Sequence, residues 1–424
     1  MKYYQYITLT FKQNKGFLFS FGATLSRAFS RFLLVFLASF LLSKYEFGIF
    51  NIFLSIYFFS RLFSENSLNL PFIKFITDGE NKPSEVCFQV IILKILYTIL
   101  VSAVILFFAD LIIQYSGLER KGLLLLLPFM LFSLTFYMFV GQILIAKIKM
   151  RHLFSYELLN CLIFVVLLAI FHFTGRDFST EKLIIIFSFG MCISALVGIY
   201  FFKHLINITI KTNKILLLKI FHYSKFTVLS GISSVVILKA DVLMLGYLRS
   251  PQEVGIYGMA MFVNEAVNMI FDSVLRVCLP QASAFSNNNN QLKTLFQQSV
   301  KKIYMGIIPI IVIIAVVSPS VVHLIYNGEY DDSIFLIYLF LVASVIKPVG
   351  YVAGVILGAT GNIKIDNRNC WIAALVNLIF NYLLIPVYGV MGAAIASIIS
   401  FASLTMLDYL SFYNIVFLQK ETMK

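Results

Sequence analysis

The chain has 424 residues, of which 60% are hydrophobic and only 12% charged, with 44 Phe, 33 Lys plus Arg against 20 Asp plus Glu, and a formal net charge of +13. A soluble domain is about a quarter charged, so this composition excludes a soluble fold. The basic excess points to membrane topology and not to nucleic acid, because it falls in short connections between apolar runs.

Cys87, Cys161, Cys192, Cys278 and Cys370 show no CxxC spacing, and the five His show no HExxH spacing. No metal site, cofactor or disulfide framework is expected from them. Residues 1–16 are polar and basic, and the apolar run that follows is too long for a signal-peptide core, so it is expected to stay as a first span.

A membrane-crossing helix needs about 20 mainly apolar residues. Cutting the chain on that basis predicts an all-α membrane protein with twelve spans: 17–43, 47–73, 86–113, 122–146, 155–174, 183–203, 222–248, 255–280, 300–326, 333–360, 366–386 and 390–418. With both termini cytoplasmic, the cytoplasmic connections hold twenty Lys and Arg. The other side holds six: Lys44, Arg120, Lys121, Arg176, Lys182 and Arg249. That asymmetry follows the positive-inside rule and predicts an even number of spans.

Phe47-Gly48-Ile49-Phe50 recurs as Val254-Gly255-Ile256-Tyr257. Gly141, Leu144 and Ala146 recur as Gly354, Leu357 and Ala359, and Asn160-Cys161 as Asn369-Cys370, all at offsets near 210. Ordered matches at one offset predict two six-span lobes. The expected layout is a cytoplasmic segment 1–16, an N-lobe 17–203, a basic cytoplasmic linker 204–221, a C-lobe 222–418 and a tail 419–424.

Seven basic residues remain inside or at the edges of the spans: Arg27, Arg31, Arg61, Lys94, Lys239, Arg276 and Lys347. Facing lipid, they would cost on the order of 20 kcal/mol together. Lys94 and Arg276 lie near cytoplasmic ends, where snorkelling is the expected explanation. The others are expected to line a wet cavity. Ser20, Thr24, Arg27 and Arg31 step by four, three and four, a polar stripe down the first span. Arg61 and Glu65 are four apart on the second. Glu265, Asn268, Asp272 and Arg276 form a stripe on the eighth, with Asp272 and Arg276 expected to pair. Lys239 and Asp241, two apart, need different partners. A cationic cavity implies an anionic cargo, and the paired donors of Arg suit a diphosphate. Arg27, Arg31, Arg61, Lys239 and Lys347 are therefore the expected substrate ligands, Ser20, Thr24 and Asn268 polar lining, and Glu65, Glu265 and Asp272 candidates for exchanging H⁺ or Na⁺.

The segments SENSLNLPFIKFI (64–76), KADVLMLGYL (239–248), VGIYGMA (254–260), IYNGEY (325–330), GVILGATGNIK (354–364) and LIPVYGVMGAAIAS (384–397) resemble the MOP flippase superfamily. The resemblance is to its polysaccharide-transporter branch, which includes Wzx-type O-antigen flippases. Asn69 and Pro71 depart from that pattern, so no role carries over to them. The resemblance implies a MOP/MATE-like fold in a bacterial inner membrane. It also implies a flippase that moves an undecaprenyl-diphosphate-linked oligosaccharide, an O-antigen or related lipopolysaccharide unit, to the periplasmic leaflet by alternating access. Membrane lipids and other polysaccharide assembly proteins are the partners it implies. The rival readings are a MATE-like multidrug or cation exporter and a membrane polymerase or acyltransferase. The intramembrane Arg residues oppose the first, since like charges repel in a low dielectric. The second would need a catalytic cluster, for which His323 beside Glu329, Asp331 and Asp332 is the one candidate.

Overall fold

A computed structural model of the chain describes residues 2–77, 81–173, 178–205, 210, 212–286 and 288–418. The side chains of 2–18, 20, 21, 66, 70, 77, 226, 230, 266, 269, 272, 273, 276, 280, 417 and 418 lie outside that description. So, therefore, do the expected roles of Ser20, Asp272 and Arg276, and the tail 419–424.

Long apolar runs leave no water to satisfy backbone groups, and helices satisfy them internally. The elements follow accordingly: α1 (Lys2–Leu41), α2 (Lys44–Arg61), a π-helical turn (Leu62–Asn66), α3 (Ser67–Thr77), α4 (Pro83–Phe107), α5 (Ala109–Ser116), α6 (Lys121–Ala146) and α7 (Met150–Phe173). Then come α8 (Thr180–Phe202), α9 (Lys214–Leu248), α10 (Pro251–Ala284), α11 (Asn289–Tyr326), α12 (Ser333–Ala359), α13 (Ile363–Tyr413) and a second π turn (Asn414–Leu418). The described residues contain no strand.

Ten helical stretches among the described residues are long and apolar enough to cross a membrane, with α2, the π turn and α3 counted as one. The last of them contains α13, whose 51 residues are broken at Gly389 (φ 55°, ψ −131°) into two helices, each long enough for a crossing. The 34 residues of α10 have the length for a further one. Helix length thus leaves room for the expected twelve, while ten stretches meet the requirement of both length and apolarity. Side chains exposed at mid-helix are large and apolar, such as Leu100, Leu125, Ile170, Leu196 and Val316, the inverse of a soluble surface helix.

Several boundaries lie further out than expected. α9 starts at Lys214 and not at 222, α11 at Asn289 and not at 300, and α1 is helical from Lys2. Their polar first turns are helical without being apolar. Side-chain caps set several starts: Ser179 accepts from the Lys182 amide at 3.4 Å, Ser250 accepts from the Glu253 amide at 3.3 Å, with Pro251 in the first turn, and Asn288 accepts from the Gln291 amide at 3.2 Å. Asn327, left-handed at φ 50°, ends α11.

The chain divides into two compact units. The first comprises residues 1–42, 56–113 and 119–231, and the second 43–55, 114–118 and 232–424. In the first, α1 packs on α7, α4 on α6, and α6 on α8. A core of Leu68, Phe72, Val90, Leu93, Phe139, Ile143 and Ile220 fills the space between α3, α4, α6 and the start of α9. In the second unit α12 packs on α10, α11 and α13. Small residues allow close approach there: a Cβ on Gly350 would lie 2.5 Å from the Thr405 backbone.

The π turn decides where one buried charge goes. Its wider i→i+5 winding takes Glu65 out of the i,i+4 register with Arg61. Glu65 instead accepts from the Lys94 ammonium at 2.5 Å, with both residues fully buried. Lys94 also donates to Asn69 Oδ1 at 3.2 Å, and the Gln142 amide donates to the same oxygen. The snorkelling expected of Lys94 is thus overturned: its partner sits inside the helix bundle, and the side chain points there.

Two stability predictions follow from this packing. Gly389→Ala places a side chain in backbone space that only glycine occupies without strain, and should cost about 1–3 kcal/mol. A lowered thermal midpoint of the purified protein in detergent checks this; an unchanged midpoint contradicts it. Lys94→Met or Glu65→Met alone should destabilise by about 3–5 kcal/mol by orphaning a buried charge, and the double variant should recover most of the loss. Additive losses in a double-mutant cycle would contradict the pairing.

Candidate functional site: intramembrane charges of the first unit

The stripe on α1 is positioned by its contact with α7. Ala23, Ser30, Leu34 and Ala38 are buried on α1, and Phe19 meets Phe154 with ring centres 6.1 Å apart. This sets Arg27 against Glu157. Arg27 Nε donates to Glu157 Oε1 at 2.9 Å, and Nη2 donates to the same oxygen. The Tyr137 hydroxyl donates to the other oxygen, Oε2. Tyr156 in turn donates to the Tyr137 carbonyl at 3.0 Å. Gly198 makes room for that Tyr156 ring, since a Cβ there would lie 2.5 Å from it. The Glu157 side chain is only 1% exposed whereas that of Arg27 is 27% exposed, so the carboxylate is shut in and the guanidinium is open on one side.

Glu157 was absent from the expected site, although it is the only acid of its apolar span. It lies 130 residues from Arg27, and spacing carries no information across that distance.

Arg31, one turn further along α1, has Arg61, Arg27, Tyr57 and Tyr137 as electrostatic neighbours, so it points to the α2 and α6 side. Among the described residues it makes no ion pair or hydrogen bond. Arg61 packs its guanidinium 5.3 Å from the Phe58 ring centre. Its Nε is buried and has no hydrogen-bond partner among the described residues. Thr24 is half-buried and engaged. Of the four cations Arg27, Arg31, Arg61 and Lys94, two are matched by Glu157 and Glu65. Arg31 and Arg61 are left without a carboxylate partner among the described residues.

The expected ligands of the second unit are arranged around Asp241. The Tyr257 hydroxyl and the Ser397 hydroxyl, the latter at 3.1 Å, donate to Asp241 Oδ2, and the Val242 amide donates to Oδ1 at 2.8 Å. Lys347 is buried with its ammonium 3.9 Å from the Phe401 ring centre, and it shares the field of Asp241 with the half-buried Lys239. Glu265 is exposed, and Asn268 has a buried Oδ1 with no hydrogen-bond partner among the described residues. Asp366 and Asp408 converge on Gly354 and line a cavity of about 330 Å³, with Asn369 donating to Asp408 at 2.9 Å. Neither acid had been expected in a site. His323, in the last turn of α11, meets Asp331 of the following loop at 2.9 Å, as an exposed pair.

The polysaccharide biosynthesis protein family model matches residues 14–286. The probable low-salt glycan biosynthesis flippase Agl15 of Haloferax volcanii is 29% identical over 197 residues, which cover 45% of this chain and 42% of that protein. Among solved structures, an inward-facing multidrug resistance MATE family transporter of the MOP superfamily superposes with a TM-score of 0.79 at 15% identity, covering 94% of this chain and 96% of that one. The lipid II flippase MurJ, in its inward closed conformation, gives 0.73 at 17% identity over 96% and 93%. The fold is therefore that of MATE and MurJ, and the chain, a multi-pass membrane protein, belongs to the polysaccharide biosynthesis protein family.

Proposed function

We propose that this protein is a flippase for a lipid-linked oligosaccharide, whose diphosphate is held by Arg31 and Arg61. The observation that carries the reading is the charge balance of the first unit. Arg27 and Lys94 have internal carboxylates, whereas among the described residues Arg31 and Arg61 form no ion pair. An unmatched guanidinium inside a membrane protein costs several kcal/mol unless an anion or water reaches it. A diphosphate supplies charge of opposite sign and acceptors that fit the forked donors of arginine. The relation to a probable glycan flippase and the fold shared with a lipid II flippase support the same cargo class. The finer reading is an undecaprenyl-diphosphate-linked O-antigen or related unit, carried from the cytoplasmic to the periplasmic leaflet of a bacterial inner membrane by alternating access, with both termini cytoplasmic.

An organic-cation exporter shares this fold, so the fold does not separate the two readings. The unmatched positive charge does, because it repels a cationic cargo. A membrane polymerase or acyltransferase would rest on the exposed His323–Asp331 pair, which lies far along the chain from the unmatched cations. Of the acids considered for H⁺ or Na⁺ exchange, Glu65 is bound to Lys94 and Glu265 is exposed.

In proteoliposomes, Arg31→Ala and Arg61→Ala should each lower flipping of a polyprenyl-diphosphate-linked oligosaccharide by about 10- to 100-fold, the worth of a hydrogen bond to a charged group. Lys at either position should restore part of the rate, as a point charge without the fork. Wild-type rates in the double Ala variant, at equal protein abundance, would remove the basis of this reading.

A further inference from the structure

The cargo site proposed above contains an anion of its own. Glu157 occupies two donors of Arg27, the cation one helical turn from Arg31 on the same stripe. Arg27 is therefore not free to receive a phosphate while Glu157 holds it. Both of its bonds end on the same carboxylate oxygen, and the other oxygen takes Tyr137, so breaking the pair leaves Tyr137 in place. Arg27 keeps 27% of its side chain exposed while Glu157 keeps 1%, so an incoming anion reaches the guanidinium and not the carboxylate.

We infer that Glu157 is an internal counter-ion that the cargo phosphate displaces from Arg27, and that this exchange takes up one proton at Glu157. The inference rests on the reading of Arg31 and Arg61 as the headgroup site. The step balances simply: two N–H···O bonds to Glu157 break, bonds from the same N–H groups to phosphate oxygens form, and one proton from water joins the carboxylate. Without that proton a fully buried carboxylate would keep Tyr137 as its one donor, the costly state of an orphaned internal charge.

The groups that face Glu157 are Arg27 from α1, Tyr137 from α6, and Tyr156 beside it on α7. α8, packed against α7, carries Asp, Glu, Lys or Arg only in its first turn, at Glu181 and Lys182. Among the described residues no second carboxylate pairs with Arg27. Glu157 is a positioning residue by this account: it holds Arg27 in register when the site is empty and releases it when the site is filled. Cargo binding and proton uptake then become one event, and by linkage a lower pH favours the loaded site.

The test is binding to the full chain in lipid nanodiscs, with methanedisulfonate as the probe because its charge does not change across the working pH range. Wild-type affinity should fall as pH rises, by up to about tenfold per pH unit for one proton taken up. Glu157→Gln should bind more tightly and lose that slope. Tyr137→Phe, which removes a hydrogen bond but no charge, should keep it. If Glu157→Gln fails to accumulate, Glu157→Asp replaces it: the shorter reach should loosen Arg27 and raise affinity with the slope intact. A Glu157→Gln protein that binds as weakly as Arg27→Ala, or keeps the wild-type slope, overturns the exchange while leaving the headgroup site standing. Binding indifferent to Arg31→Ala and Arg61→Ala overturns the headgroup site and the exchange with it.

Discussion

A guanidinium cannot lose its proton in a protein, so every arginine placed between the faces of a membrane must find an anion, water or a polar headgroup. That constraint organises the first unit. Arg27 finds Glu157 and Lys94 finds Glu65, each across a helix contact. Arg31 and Arg61 stand beside these pairs without an ion pair of their own among the described residues, with Tyr57, Phe58 and other cations near them and Glu65, already held by Lys94, within electrostatic reach of Arg61. Replacing both internal pairs by apolar groups would leave a simpler bundle, and buried pairs of this kind contribute little net stability. Their value here is to keep the local field from growing with every cation, so that the unmatched charge is confined to one place.

The helices put this arrangement in position through departures from regular winding. The π turn after Arg61 sends Glu65 toward α4, which keeps Arg61 from closing on the acid four residues later. A regular helix would have favoured the Arg61–Glu65 pair and removed one of the two unmatched cations. On the other side, Gly198 admits Tyr156, Tyr156 holds the Tyr137 backbone, and Tyr137 holds Glu157. The α1 stripe is thus supported by three other helices, α6, α7 and α8, none of which is adjacent to it in sequence.

Much of the fold can be read from the sequence because the bilayer imposes a length and a composition on each crossing. The fourth span, 122–146 against an observed Lys121–Ala146, and the tenth, 333–360 against Ser333–Ala359, show how closely apolar runs report helices when turn residues bound them. The starts of α9 and α11 read poorly because their first turns are helical in polar surroundings, and hydropathy does not mark that. Among the site residues, the α1 stripe was visible from its periodicity. Lys94 was misread because distance from a span end says nothing of an acid 29 residues earlier. Glu157 and Asp408 are each conspicuous as acids in apolar stretches, yet their partners, Arg27 and Tyr137 for one and Asn369 for the other, come from tertiary packing. The π turn leaves no mark in composition at all.

Charge placement, and not fold, separates the readings open to this protein, because exporters and flippases share the helix plan. The most direct test is a high-resolution structure of the protein in lipid with a polyprenyl diphosphate analogue bound. The account predicts the diphosphate within hydrogen-bond reach of both Arg31 and Arg61, with Arg27 turned from Glu157 toward it. Arg31 and Arg61 lying against acyl chains, with the diphosphate seated elsewhere, would contradict it.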